Sequence, residues 1–115
     1  FAGAHNPLWI FRNSELIELK ADTMPVGIYH KEKPFKSSTT ILQPNDILYF
    51  FTDGYYSQFN HLTNETLKTK RLKEILSKIH TLKLSDQKLQ LEKYFNDWKG
   101  NIEQIDDVLV IGVRI

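Results

Sequence analysis

Carboxylates stand at the borders of two apolar stretches of this sequence. Asp53 directly follows the run Ile47–Phe51, and the pair Asp106-Asp107 directly precedes the run Val108–Val113. If the two runs form neighbouring antiparallel strands, the end of one lies beside the start of the other, so Asp53 and Asp106 meet at one rim of the sheet. Carboxylates brought together repel each other, and a hard cation such as Mg²⁺ or Mn²⁺, which prefers oxygen ligands, relieves that repulsion.

Each acidic group also has a plainer explanation. An Asp-Gly pair such as Asp53-Gly54 is more often a turn than a metal ligand, although a glycine also lets the backbone approach closely. The pair Asp106-Asp107, taken alone, is usually a solvated turn. Either acidic stretch alone favours a turn. Because the two occur together, at matching ends of two apolar runs, the metal-site interpretation carries about the same weight as the interpretation of two turns.

The first 60 residues favour β-structure. Apolar runs alternate there with turn chemistry, such as Pro44-Asn45-Asp46 before the run that ends at Phe51. Because that run is apolar on both faces, we expect a central strand that is covered on both sides. The predicted strands are Leu8–Phe11 and Leu16–Leu19, paired as a hairpin, followed by Phe35–Leu42 and Ile47–Phe51.

Residues 65–99 favour two helices. The second helix has Ser85 as a predicted N-cap and Gly100 as a predicted C-cap. The run Val108–Val113 then predicts a last, buried strand. Strands, two helices and a final strand give an α+β order rather than an alternating βαβ order. The first helix is predicted from apolar residues at three- and four-residue spacing, which are Leu72, Ile75, Leu76 and Ile79.

Composition excludes several classes of protein. The chain has 115 residues, which fits one domain, and its net charge of +1 gives no argument for nucleic-acid or membrane contact. Without cysteine there is neither a disulfide framework nor a cysteine zinc site, which is compatible with the cytoplasm. No apolar run approaches the roughly 18–20 residues of a membrane helix. A basic cluster within residues 68–78 suits the wet face of a helix or the docking of an acidic partner.

Several motifs in the same order resemble the SpoIIE-type branch of the PP2C (PPM) phosphatases, and the resemblance spans nearly the whole chain. The family's metal-binding motifs are matched by Thr52-Asp53-Gly54 after an apolar strand and by Asp106-Asp107-Val108 at the start of another. The remaining matches are Pro44-Asn45-Asp46, Ala2-Gly3-Ala4-His5-Asn6-Pro7 (with one extra alanine), Met24-Pro25-Val26-Gly27-Ile28, and Trp98-Lys99-Gly100 followed by Gln104-Ile105-Asp106-Asp107, the last typical of bacterial members that follow sensory modules.

The resemblance implies a phosphatase that hydrolyses phosphoserine or phosphothreonine in a regulatory protein of bacterial signalling. It implies a two-metal centre of Mn²⁺ or Mg²⁺, with Asp53 and Asp106 as metal ligands. Asp107, at a position where relatives often have Asn, would support those ligands, and Gly54 would be structural. His5 could contact phosphate or water near the site, or make a structural hydrogen bond in a tight turn.

The family fold is a sandwich of two antiparallel sheets flanked by helices. Its other metal ligands come from an Asp-x-Gly-type motif in the N-terminal half, whereas the only Asp-Gly pair here is Asp53-Gly54. We therefore expect residues 1–115 to be the C-terminal part of a single phosphatase domain whose N-terminal half is absent. Its metal centre would be incomplete, and the fragment alone would be inactive. Its exposed sheet edges would favour a homodimer or strand exchange.

The expected partners are a phosphoprotein substrate, with an anti-sigma-factor antagonist as one candidate, and an upstream sensor domain in the parent chain. The alternative function is a non-catalytic, phosphatase-like module that binds a partner protein through the same surface. Such a module has no reason to keep both Asp53 and Asp106, so their presence favours the enzyme. Nucleic-acid binding through the basic cluster predicts a steep salt dependence and ranks last.

Overall fold

The computed structural model describes residues 1–115, which form two compact units. Phe1–Phe50 and Ile111–Ile115 make up the first unit, and Phe51–Val110 make up the second. The α+β class predicted from the sequence is confirmed. The elements in chain order are β1 (Leu8–Arg12), β2 (Glu15–Leu19), β3 (Ile47–Phe51), α1 (Gly54–Ser57), α2 (Lys68–Ile79), α3 (Leu84–Lys99) and β4 (Val110–Arg114).

The strands form one sheet in the order β2-β1-β3-β4, in which β1 pairs antiparallel with both β2 and β3. The hairpin of β1 and β2 turns through Asn13 and Ser14, whose φ angles are 48° and 66°. Two consecutive residues with positive φ match the two-residue turn whose twist suits antiparallel strands. This confirms the hairpin predicted from the sequence.

Strands β3 and β4 also run antiparallel, with their ends joined by main-chain hydrogen bonds. At one end, Ile115 N donates to the carbonyl of Asp46 at 3.0 Å. At the other end, Thr52 N donates to the carbonyl of Leu109 at 3.0 Å. The arrangement assumed for the two acidic stretches is therefore present, because the end of β3 lies beside the start of β4.

The sheet carries the core of the first unit. On one face, Leu8, Ile10 and Leu48 form a buried cluster. In the middle strands, Trp9 and Tyr49 are 0% and 1% exposed, and burial raises the pKa of the Tyr49 hydroxyl. All of β3 except its fourth residue is buried, as expected for a central strand.

The helices follow their predicted apolar patterns, with differences at their ends. The four predicted residues of α2 are buried. Helix α3 begins at Leu84 with Lys83 as its N-cap, so the prediction of Ser85 was wrong, whereas Gly100 ends the helix as predicted, with its N–H donating to Asn96 O at 2.8 Å. The one-turn helix α1 was not predicted. None of the three helices has the length and apolar character needed to cross a membrane.

Two predictions about strands were wrong. The segment Phe35–Leu42 is not a strand, because it has no ladder partner; instead, Ser38 exchanges two main-chain hydrogen bonds of 2.8 Å with Phe1 alone. Strand β4 is not buried, because it lies at an edge of the sheet. Residues at alternate positions share one face of a strand. The exposed aliphatic residues on this face are Ile111 and Val113 of β4 and the flanking Leu109 and Ile115, each with 39–51% of its surface exposed.

An ion pair fixes the entry to β3. Arg12 donates from Nε to Asp46 Oδ1 at 2.9 Å and from Nη2 to Asp46 Oδ2 at 2.7 Å. Gln43 N donates to the same Oδ2 at 2.8 Å, although Asp46 is only 1% exposed. The hydrogen bonds from Arg12 hold the pKa of the Asp46 carboxyl below its ordinary value, against the opposite effect of burial.

Because of this ion pair, we expect the stability of the fold to fall at acid pH. An Asp whose folded-state pKa lies below its unfolded value of about 3.9 contributes stability that is present above about pH 4 and is lost as the pH falls through the folded-state pKa. Asp46→Asn should lower the midpoint of thermal unfolding at pH 7 by about 5 °C or more. It should also flatten the decline in stability at acid pH. Circular dichroism melts from pH 7 to pH 2 measure both effects.

The control is Asp86→Asn, which makes the same charge change in the first turn of α3, where the side chain is exposed. This variant should keep the steep acid decline of the wild type. If both variants gave the same melting midpoints across the pH series, the stabilising role of the ion pair would be refuted.

Candidate metal centre

Thr52 holds the segment that enters β4 against the end of β3. Its hydroxyl donates to the carbonyl of Asp107 at 2.8 Å and accepts from Leu109 N at 3.0 Å. Its own N–H donates to Leu109 O at 3.0 Å. Asp53 is the next residue, so Thr52 joins the two acidic stretches that the sequence placed at matching strand ends. The two stretches are therefore held together at matching strand ends, whereas a metal site on Asp53 and Asp106 stays a prediction.

Gly54 sets how closely the two stretches lie. A Cβ at this position would overlap the carbonyl oxygen of Asp107 and would lie 2.9 Å from its carbonyl carbon and 3.4 Å from the carbonyl carbon of Asp106. Glycine is therefore required here by the close approach of backbone. Any side chain at this position would push the loop that carries Asp106 and Asp107 away from α1.

Asp53 occupies the N-cap position of α1, but its side chain does not cap the helix. Its side chain makes no capping hydrogen bond, and its carbonyl accepts the N–H of Ser57 at 2.9 Å. The exposed carboxylate is therefore not used by the helix and is available to a ligand. Burial raises the pKa of the Tyr56 hydroxyl, and the negative charge of Asp53 raises it further.

Asp106 and Asp107 are both exposed and take part in the loop in different ways. Asp106 Oδ1 accepts the N–H of Asp107 at 2.7 Å, which fixes the orientation of the carboxylate and leaves its second oxygen for a ligand. Gln104 Nε2 donates to the carbonyl of Asp106 at 2.8 Å. Asp107 contributes its main-chain carbonyl, which accepts the hydroxyl of Thr52. The pair thus offers one oriented carboxylate and one main-chain anchor.

Sequence reasoning did not single out two residues that hold this arrangement. One is Thr52, which it treated only as part of a motif. The other is Gln58, which is fully buried and whose side chain bonds to the main chain of Glu103 and Ile105. A lone glutamine in an aromatic-rich stretch carries no signal of such a role.

His5 belongs to the first unit, whereas Asp53, Asp106 and Asp107 belong to the second. Its backbone takes a positive φ of 61°, and its N–H donates to Asp22 O at 2.8 Å, as in a tight turn. A role for its ring near phosphate or water stays a prediction.

The donor chemistry of Asp53 and Asp106 suits a hard divalent cation, since carboxylate oxygens are the ligands that Mg²⁺ and Mn²⁺ prefer. No three His, Cys, Asp or Glu side chains come together in a way that could hold a metal ion. The chain therefore offers two carboxylates on a backbone frame fixed by Thr52 and Gly54.

Comparison with known proteins shows the family. The family model for Stage II sporulation protein E (SpoIIE) matches residues 1–115. The chain belongs to the SpoIIE family. No curated protein matches it. Membership over the whole length of this SpoIIE-family chain confirms the resemblance seen in its motifs.

Solved structures share the fold. The SiaA PP2C domain of Pseudomonas aeruginosa superposes with a TM-score of 0.88 at 22% identity, covering 99% of this chain and 44% of that chain. The PP2C phosphatase domain of Bacillus subtilis SpoIIE, solved with a fragment of its regulatory domain, gives a TM-score of 0.70 at 23% identity, covering 97% and 32%. A manganese-presoaked form of that phosphatase domain gives 0.60 at 22%, covering 95% and 46%. The chain thus spans 32–46% of the length of these solved chains.

Proposed function

We propose that this SpoIIE-family chain is part of a metal-dependent protein phosphatase that acts on phosphoserine or phosphothreonine. The observation that supports the proposal most is the joining of Asp53 to the loop of Asp106 by the hydroxyl of Thr52, with Gly54 against the Asp107 carbonyl. Residues more than 50 positions apart are thereby held together, and the acidic side chains of these two stretches take no part in ion pairs of the fold.

In this proposal, Asp53 and Asp106 hold the metal. A centre of Mn²⁺ or Mg²⁺ supplies an activated water and offsets charge on the phosphoryl oxygens. Asp107 supports the site through its main-chain contact with Thr52, and Gly54 allows the two stretches to approach each other. The manganese presoak of one solved relative supports the choice of metals.

The remaining ligands, we infer, come from residues outside this chain. A centre of two octahedral cations takes more protein oxygens than two carboxylates supply. The solved chains that share the fold are two to three times as long, which supports a domain of which this is a part. The exposed aliphatic face of β4 would then be covered by those residues, or by a second copy in a homodimer.

The partners proposed for the complete protein are a phosphoprotein substrate and a sensor or regulatory segment in the same chain. An anti-sigma-factor antagonist is a candidate for the substrate. The Bacillus subtilis structure that contains a fragment of a regulatory domain beside the phosphatase domain supports the regulatory segment.

Hydrolysis of an aryl phosphate and of a phosphoserine peptide, with Mn²⁺ or with a chelator, tests the proposal. The complete protein should turn over both substrates with Mn²⁺ and neither with the chelator. The 115-residue chain alone should be inactive, because its metal centre lacks ligands. If the complete protein hydrolysed neither substrate in Mn²⁺ or in Mg²⁺, the result would contradict the proposal and favour a non-catalytic binding module. Turnover by the chain alone would show that the site completes itself without further residues.

A further inference from the structure

Gln58 is a buried polar residue whose side chain is bonded to the loop that carries Asp106. It directly follows α1 and is 0% exposed. Its Nε2 donates to the carbonyl of Glu103 at 2.9 Å, and its Oε1 accepts the N–H of Ile105 at 3.3 Å. Both ends of the amide are therefore engaged by the same short loop, far away in the sequence.

The backbone of Gln58 is itself fixed. Its carbonyl accepts the indole N–H of Trp98 at 2.8 Å and the N–H of Leu67 at 3.1 Å. The guanidinium of Arg71 lies 4.4 Å from the centre of the Trp98 ring, which holds the indole in place. Gln58 is thus a rigid anchor, and the loop is the part that it positions.

Asp106 is the one residue between two anchors of this loop. On its N-terminal side, Gln58 holds Ile105, and on its C-terminal side, Thr52 holds Asp107. The loop has no regular secondary structure from Glu103 to Asp107, and these residues are exposed. Side-chain hydrogen bonds therefore fix its path where a strand or helix would otherwise do so.

Helix α1 is connected to both acidic groups, to Asp53 directly and to the loop of Asp106 through Gln58. Asp53 precedes its first residue and Gln58 follows its last residue. Through Gln58, the same helical turn that places Asp53 also places Asp106. A neutral amide suits this task because it donates to one carbonyl and accepts from one N–H at the same time, which a carboxylate cannot do.

We propose that Gln58 is a positioning residue for the metal ligand Asp106, an inference that rests on the proposed function. Productive geometry at a metal site requires ligands held within about 0.5 Å by neighbouring hydrogen bonds. Loss of such a supporting partner typically weakens metal binding about 10–100-fold. Gln58→Met, which keeps the length of the side chain but removes both hydrogen bonds, should therefore weaken Mn²⁺ binding by about 10-fold or more.

The chain contains a matched control in Gln87. It is also buried, at 2% exposure, and its Nε2 donates to the carbonyls of His80 and Leu82 at 3.0 and 2.9 Å. These bonds tie the turn between α2 and α3 and involve no residue of the acidic loop. Gln87→Met should lower the melting midpoint as Gln58→Met does, but should leave the Mn²⁺ dissociation constant within about twofold of the wild type.

The experiment uses the complete protein and measures the Mn²⁺ dissociation constant by calorimetry, the melting midpoint and the hydrogen exchange of the Ile105 amide without metal. Weaker Mn²⁺ binding and faster exchange in Gln58→Met, with neither in Gln87→Met, would support the proposal. If Gln58→Met does not fold, Gln58→Asn, which keeps the amide but shortens its reach, is judged by the same criterion.

Equal Mn²⁺ binding by the wild type and Gln58→Met would overturn the role of Gln58 while leaving the proposed function intact. Equal loss of Mn²⁺ binding in the Gln58 and Gln87 variants would reduce Gln58 to a purely structural residue. A wild-type protein that neither binds Mn²⁺ nor hydrolyses phosphate esters would instead overturn the proposed function and, with it, the metal role of Asp106.

Discussion

Replacing Asp53 by Asn is expected to lower kcat/KM of the complete protein by about 10³-fold, because in the proposed metal centre the loss of a ligand removes several kcal/mol of transition-state stabilisation. The amide has nearly the same shape as the carboxylate, and the Asp53 side chain makes no capping hydrogen bond that the fold could lose. The melting midpoint should therefore hardly change. Steady-state hydrolysis of a phosphoserine peptide over a range of Mn²⁺ concentrations measures the loss of activity.

The control is Asp97→Asn, which removes the same charge from an exposed ion pair with Lys93 on α3. It should leave kcat/KM unchanged. Asp107→Asn should cost far less than Asp53→Asn, because Asp107 meets Thr52 through its main-chain carbonyl, which the substitution keeps. Wild-type activity in Asp53→Asn, or equal losses at Asp53 and Asp97, would remove Asp53 from the proposed metal centre.

Gly54→Ala is expected to have the second large effect, through geometry rather than charge. The added methyl group would overlap the main-chain carbonyl of Asp107, and neither α1 nor a carbonyl held by Thr52 can give way cheaply. We expect a loss of about 1–3 kcal/mol in the free energy of unfolding, as for other insertions into well-packed sites. Mn²⁺ binding should weaken as well, because the loop of Asp106 must shift. Urea unfolding and calorimetric titration with Mn²⁺ measure the two effects.

Ser57→Ala, at the last residue of the same helical turn, is the matched control for Gly54→Ala. It removes an oxygen without adding bulk and should change stability and Mn²⁺ binding little. A Gly54→Ala protein as stable as Ser57→Ala would mean that the contact between Gly54 and Asp107 is loose. Lowered stability with unchanged Mn²⁺ affinity would separate the packing of the two stretches from the metal site.

Much of this arrangement could be predicted because it depends on local pattern. The apolar run before Asp53 predicts a central strand, and the matching run after Asp107 predicts a neighbour. That is enough to bring the acidic stretches together. The apolar spacing within α2 likewise fixes which face is buried, since helical periodicity is a property of the segment itself.

The rest depends on partners that are distant in the sequence. The hydrogen bonds of Thr52 and Gln58 to the acidic loop join residues 55 and 45 positions apart, and no local sequence pattern predicts them. The segment Phe35–Leu42 has residues that suit a strand, but strand propensity does not say whether a neighbouring strand exists. The same reason explains why β4 was expected to be buried although it lies at an edge.

The long span between Thr52 and Asp107 also sets an order in time during synthesis. These two residues are 55 positions apart, so a ribosome adding about 5–20 residues per second makes Thr52 roughly 3–11 s before Asp107. Until β4 has been made and has paired with β3, the carboxylates of Asp53 and Asp106 have no common frame. Under the proposed function, a metal centre that needs both carboxylates would therefore form only after β4 has paired with β3.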